Sequence, residues 1–358
     1  LNQTQISQSF DARLENLNMT NGVDFIYSQV DYKENSLQRL NLAERNSSSQ
    51  LDFFNQIDFT RHPFFNLYIG NRFYYFTDGS YMRWSPRYKI ELNRDKPLSF
   101  ALGYSRNYQF LNKIEFSNAN TADVWILANE QEEPSSVDHF SGGIYTRGGR
   151  FSFFQVEAYL KQYENLRLHE LSTLYLNLNL QTSDPFLSDN SGFGQGVEFM
   201  FRTVYNKFDF TAAYTLSSMQ LENEILNNGE PFDAEWDRRH QLNFATGYQI
   251  SPELGINASY IFATGTPNNL FDVEDRLNQD NGRELPEERL SAYARLDLSL
   301  NFQSRNREGP SFEANVFLFN LLNRNNVWYR ELRLALDRNG TAGNRFQSLP
   351  VDVYDMGF

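Results

Sequence analysis

The chain of 358 residues contains no cysteine, which removes a disulfide framework, a thiolate metal site and a cysteine nucleophile from consideration. It also lacks any apolar run near the roughly 20 residues that a membrane-spanning helix needs. Basic residues are the minority: 32 Lys and Arg stand against 45 Asp and Glu, and the net charge of −13 argues against a nucleic-acid partner, whose phosphates call for basic patches. The four histidines, His62, His139, His169 and His240, are scattered without metal-ligand spacing, so neither a metal site nor a cofactor is expected. No basic start or apolar signal region follows Leu1, so an exported form is expected to have had an upstream segment. No composition shift or Pro/Ser-rich linker divides the chain, and residues 1–358 read as one long domain.

What is abundant is aromatic: 32 Phe and 20 Tyr in a chain whose mean hydropathy is only −0.59. Such residues are hard to place in a water-soluble core of this polarity, whereas the exterior and interfacial girdles of membrane barrels use them heavily. Strict alternation of apolar and polar residues recurs, the signature of strands with two unlike faces. Leu296, Leu298, Leu300 and Phe302 alternate with Arg295, Asp297, Ser299, Asn301 and Gln303. Phe208, Phe210, Ala212, Tyr214 and Leu216 alternate with Asp209, Thr211, Ala213, Thr215 and Ser217, and similar rows start at Leu98, Phe154 and Leu254.

A soluble β-sandwich also alternates, but the connections separate the two readings. Short turns at Asn93–Lys96, Arg147–Arg150, Tyr205–Lys207, Ser251–Glu253 and Ser304–Pro310 are interleaved with long connections over 111–136, 164–192, 221–238, 265–290 and 322–345. That order fits an antiparallel up-and-down transmembrane β-barrel with tight turns at one end and long loops at the other, with about fourteen strands up to Leu318.

Several segments resemble the barrel of TonB-dependent receptors, the ligand-gated transporters of Gram-negative outer membranes. They are "WDRRHQLNFATGYQIS" from Trp236, "FATGTPNNLF" from Phe262, "SAYARLDLSLNFQ" from Ser291 and "EANVFLFNLLNRNNVWY" from Glu313. Further upstream, "SFALGYSRNYQFLNKI", "ADVWILANEQEEPSSVDHFSGG" and "GFGQGVEFMFR" follow in the same order, so the resemblance spans roughly residues 85 to 350. It implies uptake of a scarce nutrient (an iron chelate, vitamin, glycan or peptide) through a plugged barrel. The partners it implies are outer-membrane lipid, the TonB complex acting on a plug segment, an extracellular ligand and a surface lipoprotein. The family's barrels have 22 strands, and neither a plug nor the first strands are visible. "SLPVDVYDMGF" reads as the approach to a final strand, so the expectation is an incomplete piece, about strands eight to twenty-one of the 22.

Candidate site residues come from the loops and the polar strand faces. Trp125 and Trp236 are placed to anchor at the interface or to hold an aromatic or sugar ligand. Asp237, Arg238 and Arg239 beside His240 read either as a ligand- or plug-facing patch or as a salt-bridged strand start at the rim. Arg295, Asp297 and Asn301 lie on a predicted lumen face, where they would contact a plug, line a path or pair across strands. The acidic loops lack the spacing of a calcium loop. The run Gly192, Gly194, Gly196 leads into a strand, not a helix, and is read as a loop turning into that strand. No Ser/His/Asp arrangement can be argued from spacing, so no enzyme is expected. The competing classes are a passive channel with a closed barrel of about fourteen strands and a secreted β-rich binding or adhesion module.

Overall fold

A computed structural model describes residues 1–34, 42–60, 62–114, 124–148, 152–169, 186–267, 289–304, 311–336 and 342–352. The strands are β1 (Asn2–Arg13), β2 (Leu17–Glu34), β3 (Leu42–Phe59), β4 (Phe65–Phe76), β5 (Tyr81–Leu92), β6 (Leu98–Gln109), β7 (Leu111–Ile114), β8 (Val124–Leu127), β9 (Ser135–Gly148) and β10 (Ser152–His169). They continue with β11 (Phe186–Tyr205), β12 (Phe208–Glu222), β13 (Phe232–Asp233), β14 (His240–Gln249), β15 (Leu254–Ala263), β16 (Tyr293–Gln303), β17 (Glu313–Leu318), β18 (Val327–Leu336) and β19 (Ala342–Asp352). Among the described residues the only helical element is a 3₁₀ turn at Asn227–Gly229, and no helix is long and apolar enough to cross a membrane.

Fourteen of these strands form one continuous antiparallel path from β1 to β17, each paired with its neighbours, while β13 pairs with β12 at its edge. The hairpins β7–β8 and β18–β19 are separate two-stranded sheets. The path is open, because β1 and β17 lie at opposite ends of it and do not pair with each other.

Local chemistry sets the short connections. Asn93 and Asn206 adopt positive φ (53° and 52°), which a short polar side chain tolerates better than a bulky one. At the first, the Lys96 N–H donates to the Asn93 carbonyl at 2.8 Å, closing a tight turn. At the second, only Asn206 and Lys207 separate β11 from β12.

Register turns the alternation of each strand into belts across the sheet. Val23, Phe53, Phe73 and Trp84 stand side by side on β2 to β5. Leu102, Gly142, Ala158, Val197 and Leu216 do so on β6 and β9 to β12. Phe208, Tyr248, Ile256, Leu300 and Val316 complete the belt to β17. These side chains are not covered by a second sheet: Phe53 is 52% exposed, Phe73 54% and Leu102 63%. That is the reverse of a β-sandwich, whose apolar rows interdigitate.

The opposite face is polar and concave. The β7–β8 hairpin touches β2 and β3 on one side and β10 on the other. Six strand steps separate β2 from β10, about 29 Å in a flat sheet at ~4.8 Å each. So short a hairpin reaches both only if the sheet curls around it. Phe110, Leu127 and Ala128 of the hairpin region bury themselves against Val30, Tyr74 and Phe76, which share the face of Asp24 and Asp52. Arg167 on β10 secures the other side, donating to the Leu127 and Glu132 carbonyls at 3.1 Å each and pairing with the Glu132 carboxylate at 3.1 Å.

Ion pairs and glycine–tyrosine contacts stiffen this concave face. Arg72 bridges Asp24 (3.2 Å) and Asp52 (3.4 Å), both buried, and lies 5.0 Å from the Phe54 ring centre. Tyr159 lies across Gly196, where an added Cβ would come within 2.6 Å of its hydroxyl, so the closeness requires glycine.

Three expectations change. The supposed connection 111–136 contains both strands of the β7–β8 hairpin. Gly192, Gly194 and Gly196 lie well inside β11, paired with Tyr163, Lys161 and Tyr159, and are not its beginning. Glycine's weak strand propensity hides a strand whose neighbours supply the bulk. The supposed connection 322–345 contains all of β18 and the start of β19, a hairpin off the main sheet whose signal was the alternation of Leu332, Leu334 and Leu336 with Arg333 and Ala335. The turns at 149–151 and 305–310, the central parts of three long connections (115–123, 170–185 and 268–288) and the end over 353–358 lie outside the described residues.

Candidate functional site at the long-loop end

The connection from β12 to β14 builds a polar site at this end. It is not a bare loop, because Leu226, Phe232 and Ala234 bury themselves against Leu187 and Leu221 of β11 and β12. β13 then adds two residues to the edge of β12, pairing Asp233 with Gln220 and Phe232 with Leu221. This small apolar core fixes the backbone that carries Asp233 and Asp237.

Two carboxylates and two guanidiniums close a network there. Asp233 accepts from Arg239 at 2.8 Å, and it also pairs with Arg289. Asp237 pairs with Arg289 at 2.7 Å and with Arg239 at 3.2 Å, while its other oxygen accepts the Met219 N–H at 2.7 Å. Arg289 also donates to the carbonyls of Asp237 and Gly265, both at 3.2 Å, and its backbone forms a bridge with Pro267. The network therefore ties the β12–β14 connection to both ends of the β15–β16 connection. The Asp237 side chain is only 1% exposed, so its oxygens serve the network.

Arg238 stands apart from its neighbours. Its carbonyl accepts from the Ser217 hydroxyl at 2.9 Å. Its side chain is half-buried, and among the described residues no carboxylate lies within ion-pair distance of it. It lines a cavity of about 190 Å³ with Gln241, Asn243, Thr264, Ser291 and Tyr293. Trp236, two residues earlier, is 56% exposed. The remaining candidates are scattered. Trp125 packs against the apolar cluster of the β7–β8 hairpin.

Arg295 and Asp297 pair with each other at 2.7 Å on the concave face of β16, and Asp297 also accepts the Asn320 N–H at 2.8 Å. Asn301 lies on the same face, opposite Gly255 and Asn315. Beside them Phe317 and Phe319 stack with ring centres 6.1 Å apart, both exposed, in a groove shared with Thr211, Ser259 and Ser299.

Of the charged cluster read from the sequence, the structure brings Asp237 and Arg239 together and leaves Arg238 to a different pocket. Arg289 is not among the candidates read from the sequence, and Asp233 belongs to the acidic loops read there as a solvated surface. Arg289 is separated from Asp237 by 52 positions, and no spacing rule links them. The intervals from Asp233 to Asp237 and Arg239 were visible but had no strand to give them meaning.

No protein-family model matches the sequence, and no curated protein matches it. Solved structures do. A point variant of the ferric enterobactin receptor from Pseudomonas aeruginosa superposes with a TM-score of 0.64 at 14% identity, over 96% of this chain and 52% of that one. The outer membrane transporter YddB from Escherichia coli gives 0.59 at 11% identity, over 98% and 53%. The ferripyoverdine receptor of the outer membrane of Pseudomonas aeruginosa gives 0.61 at 12%, over 96% and 46%. The chain thus spans about half the length of the proteins it is similar to. Its fold is that of a large part of the antiparallel barrel found in these outer-membrane receptors and transporters.

Proposed function

We propose that the chain is the carboxy-terminal part of the barrel of a TonB-dependent outer-membrane receptor, which takes up a scarce nutrient through a plugged lumen. One observation carries this reading: an uncovered apolar belt runs on the convex face from β2 to β17, opposite a concave face of ion pairs and small residues. Water penalises the first face and hydrocarbon the second, so only an enclosed wall in a membrane satisfies both. The unpaired edges of β1 and β17 support further strands, because bare backbone polar groups are too costly in lipid to leave unmet. A closed fourteen-stranded channel would need those two edges to meet. A secreted adhesion module would have to keep the belt in water.

In this reading the ordered connections at the long-loop end face outward and receive the ligand, and the inner-membrane TonB complex acts through the plug. An iron chelate is the favoured cargo, since two of the similar proteins are named as ferric enterobactin and ferripyoverdine receptors. The test is uptake by cells with and without the complete gene, comparing ferric chelates with vitamins, glycans and peptides under TonB-sufficient and TonB-deficient conditions. Loss of TonB-dependent uptake of one class is expected; uptake unchanged for every class contradicts the proposal.

A further inference from the structure

We infer that Arg238 is the anchor of an oxyanion-binding pocket at the long-loop mouth, taking one carboxylate or phosphate group of an incoming solute. The inference rests on the receptor reading for the direction of approach, but not for its chemistry. Four charged side chains in this corner, Asp233, Asp237, Arg239 and Arg289, neutralise one another. Arg238 sits between two members of that network in sequence and joins neither carboxylate. A half-buried guanidinium has lost part of its hydration, and among the described residues no carboxylate returns that loss, which an arriving anion would do.

The surroundings are built for such a group. Ser291 offers a hydroxyl, and Gln241 and Asn243 offer amides, around the same cavity of about 190 Å³, which Ile261, Phe262 and Leu290 also line, while the Thr264 hydroxyl is taken up by the His240 backbone. That is below the roughly 300–1,000 Å³ that encloses a whole drug-sized ligand. The pocket therefore takes one arm of a larger solute and not its body. The backbone around Arg238 is held by the Ser217 hydroxyl on its carbonyl (2.9 Å) and by the N–H of Ser217 on the Arg239 carbonyl (3.0 Å). The adjacent ion network fixes both flanking residues, so the guanidinium is presented from a rigid base and little ordering accompanies binding.

The test uses the complete protein reconstituted in phosphatidylcholine vesicles and titrated calorimetrically with citrate, with inorganic phosphate and with glycerol. Saturable binding of one or both anions and none of glycerol is expected; citrate alone identifies a carboxylate site, phosphate alone a phosphate site. Arg238→Gln should weaken the anion at least about tenfold and Arg238→Lys less, because a charge-assisted contact is lost or reduced to a point charge. Arg147→Gln, at the short-turn end of β9, should leave the affinity unchanged. Equal affinity in Arg238→Gln and the native protein, or no anion binding at all, overturns the inference. Flotation of the vesicles is scored separately. A protein that floats but ignores both anions loses only this site, and one that stays in the aqueous phase yet binds through Arg238 loses only the receptor reading.

Discussion

Two ion clusters in this molecule solve opposite problems. At the rim, Asp233 and Asp237 meet Arg239 and Arg289, one guanidinium for each carboxylate, and the four residues come from connections far apart in sequence. In the wall, Arg72 alone serves Asp24 and Asp52, all three on adjacent strands of the concave face. The rim cluster holds connections together. The wall cluster leaves one negative charge in excess on a surface that the backbone ladder also holds. The rim network joins connections, whereas the wall group sits on an open strand surface.

The sharpest way to break this contrast is Asp237→Ala. It leaves two guanidiniums sharing Asp233 alone and strands the Met219 N–H, and removing one partner of a buried pair costs about 3–5 kcal/mol. We expect the loss as faster protease cutting within 223–239, with the strand ladder unchanged by circular dichroism. Next comes Arg72→Ala, which leaves Asp24 and Asp52 facing each other without a cation; about 3 kcal/mol of lost stability is expected in urea unfolding. Adding Asp24→Asn to that variant should recover more than half of the loss.

Smaller effects sharpen the difference. Asp52→Asn in the wall leaves Asp24 and Arg72 as a matched pair and should change stability by less than about 1 kcal/mol. Asp233→Asn at the rim breaks a balanced set and should cost more than that, measured in the same unfolding assay. Smallest is salt: the Arg239 side chain is 38% exposed, so raising the ionic strength should loosen the rim by only a few tenths of a kcal/mol. A large salt effect at the rim, or a large cost for Asp52→Asn, would erase the distinction between joint and surface.

The wall was legible in the sequence because its information is local. Alternation at Leu296–Phe302 or Phe208–Leu216 assigns each residue to a face without knowledge of the partner strand, and the strands β12 and β16 fall where those rows predict. The glycines of β11 misled because their partners Tyr159, Lys161 and Tyr163 are some 30 positions away, and the space they fill is invisible from one strand. The mouth was the least legible part. The sequence offered Asp237, Arg238 and Arg239 as one group, yet the fold sends the outer two into a network with Arg289 and the middle one to another pocket. Trp125 looked like an interfacial anchor or a ligand platform, and it packs on the hairpin that lies across the concave face. Both outcomes depend on contacts between connections, which no periodicity encodes.

The apolar belt must meet hydrocarbon, and the absence of cysteine from this chain makes that measurable residue by residue. Single cysteines placed in turn at 296 to 301 on β16 of the complete protein in vesicles would be labelled with a water-soluble maleimide and, separately, a fluorophore quenched by nitroxide lipids. Positions 296, 298 and 300 should resist the maleimide and be quenched by lipid, while 297, 299 and 301 should show neither property. Uniform reactivity along the strand, with no quenching at any position, would contradict the account.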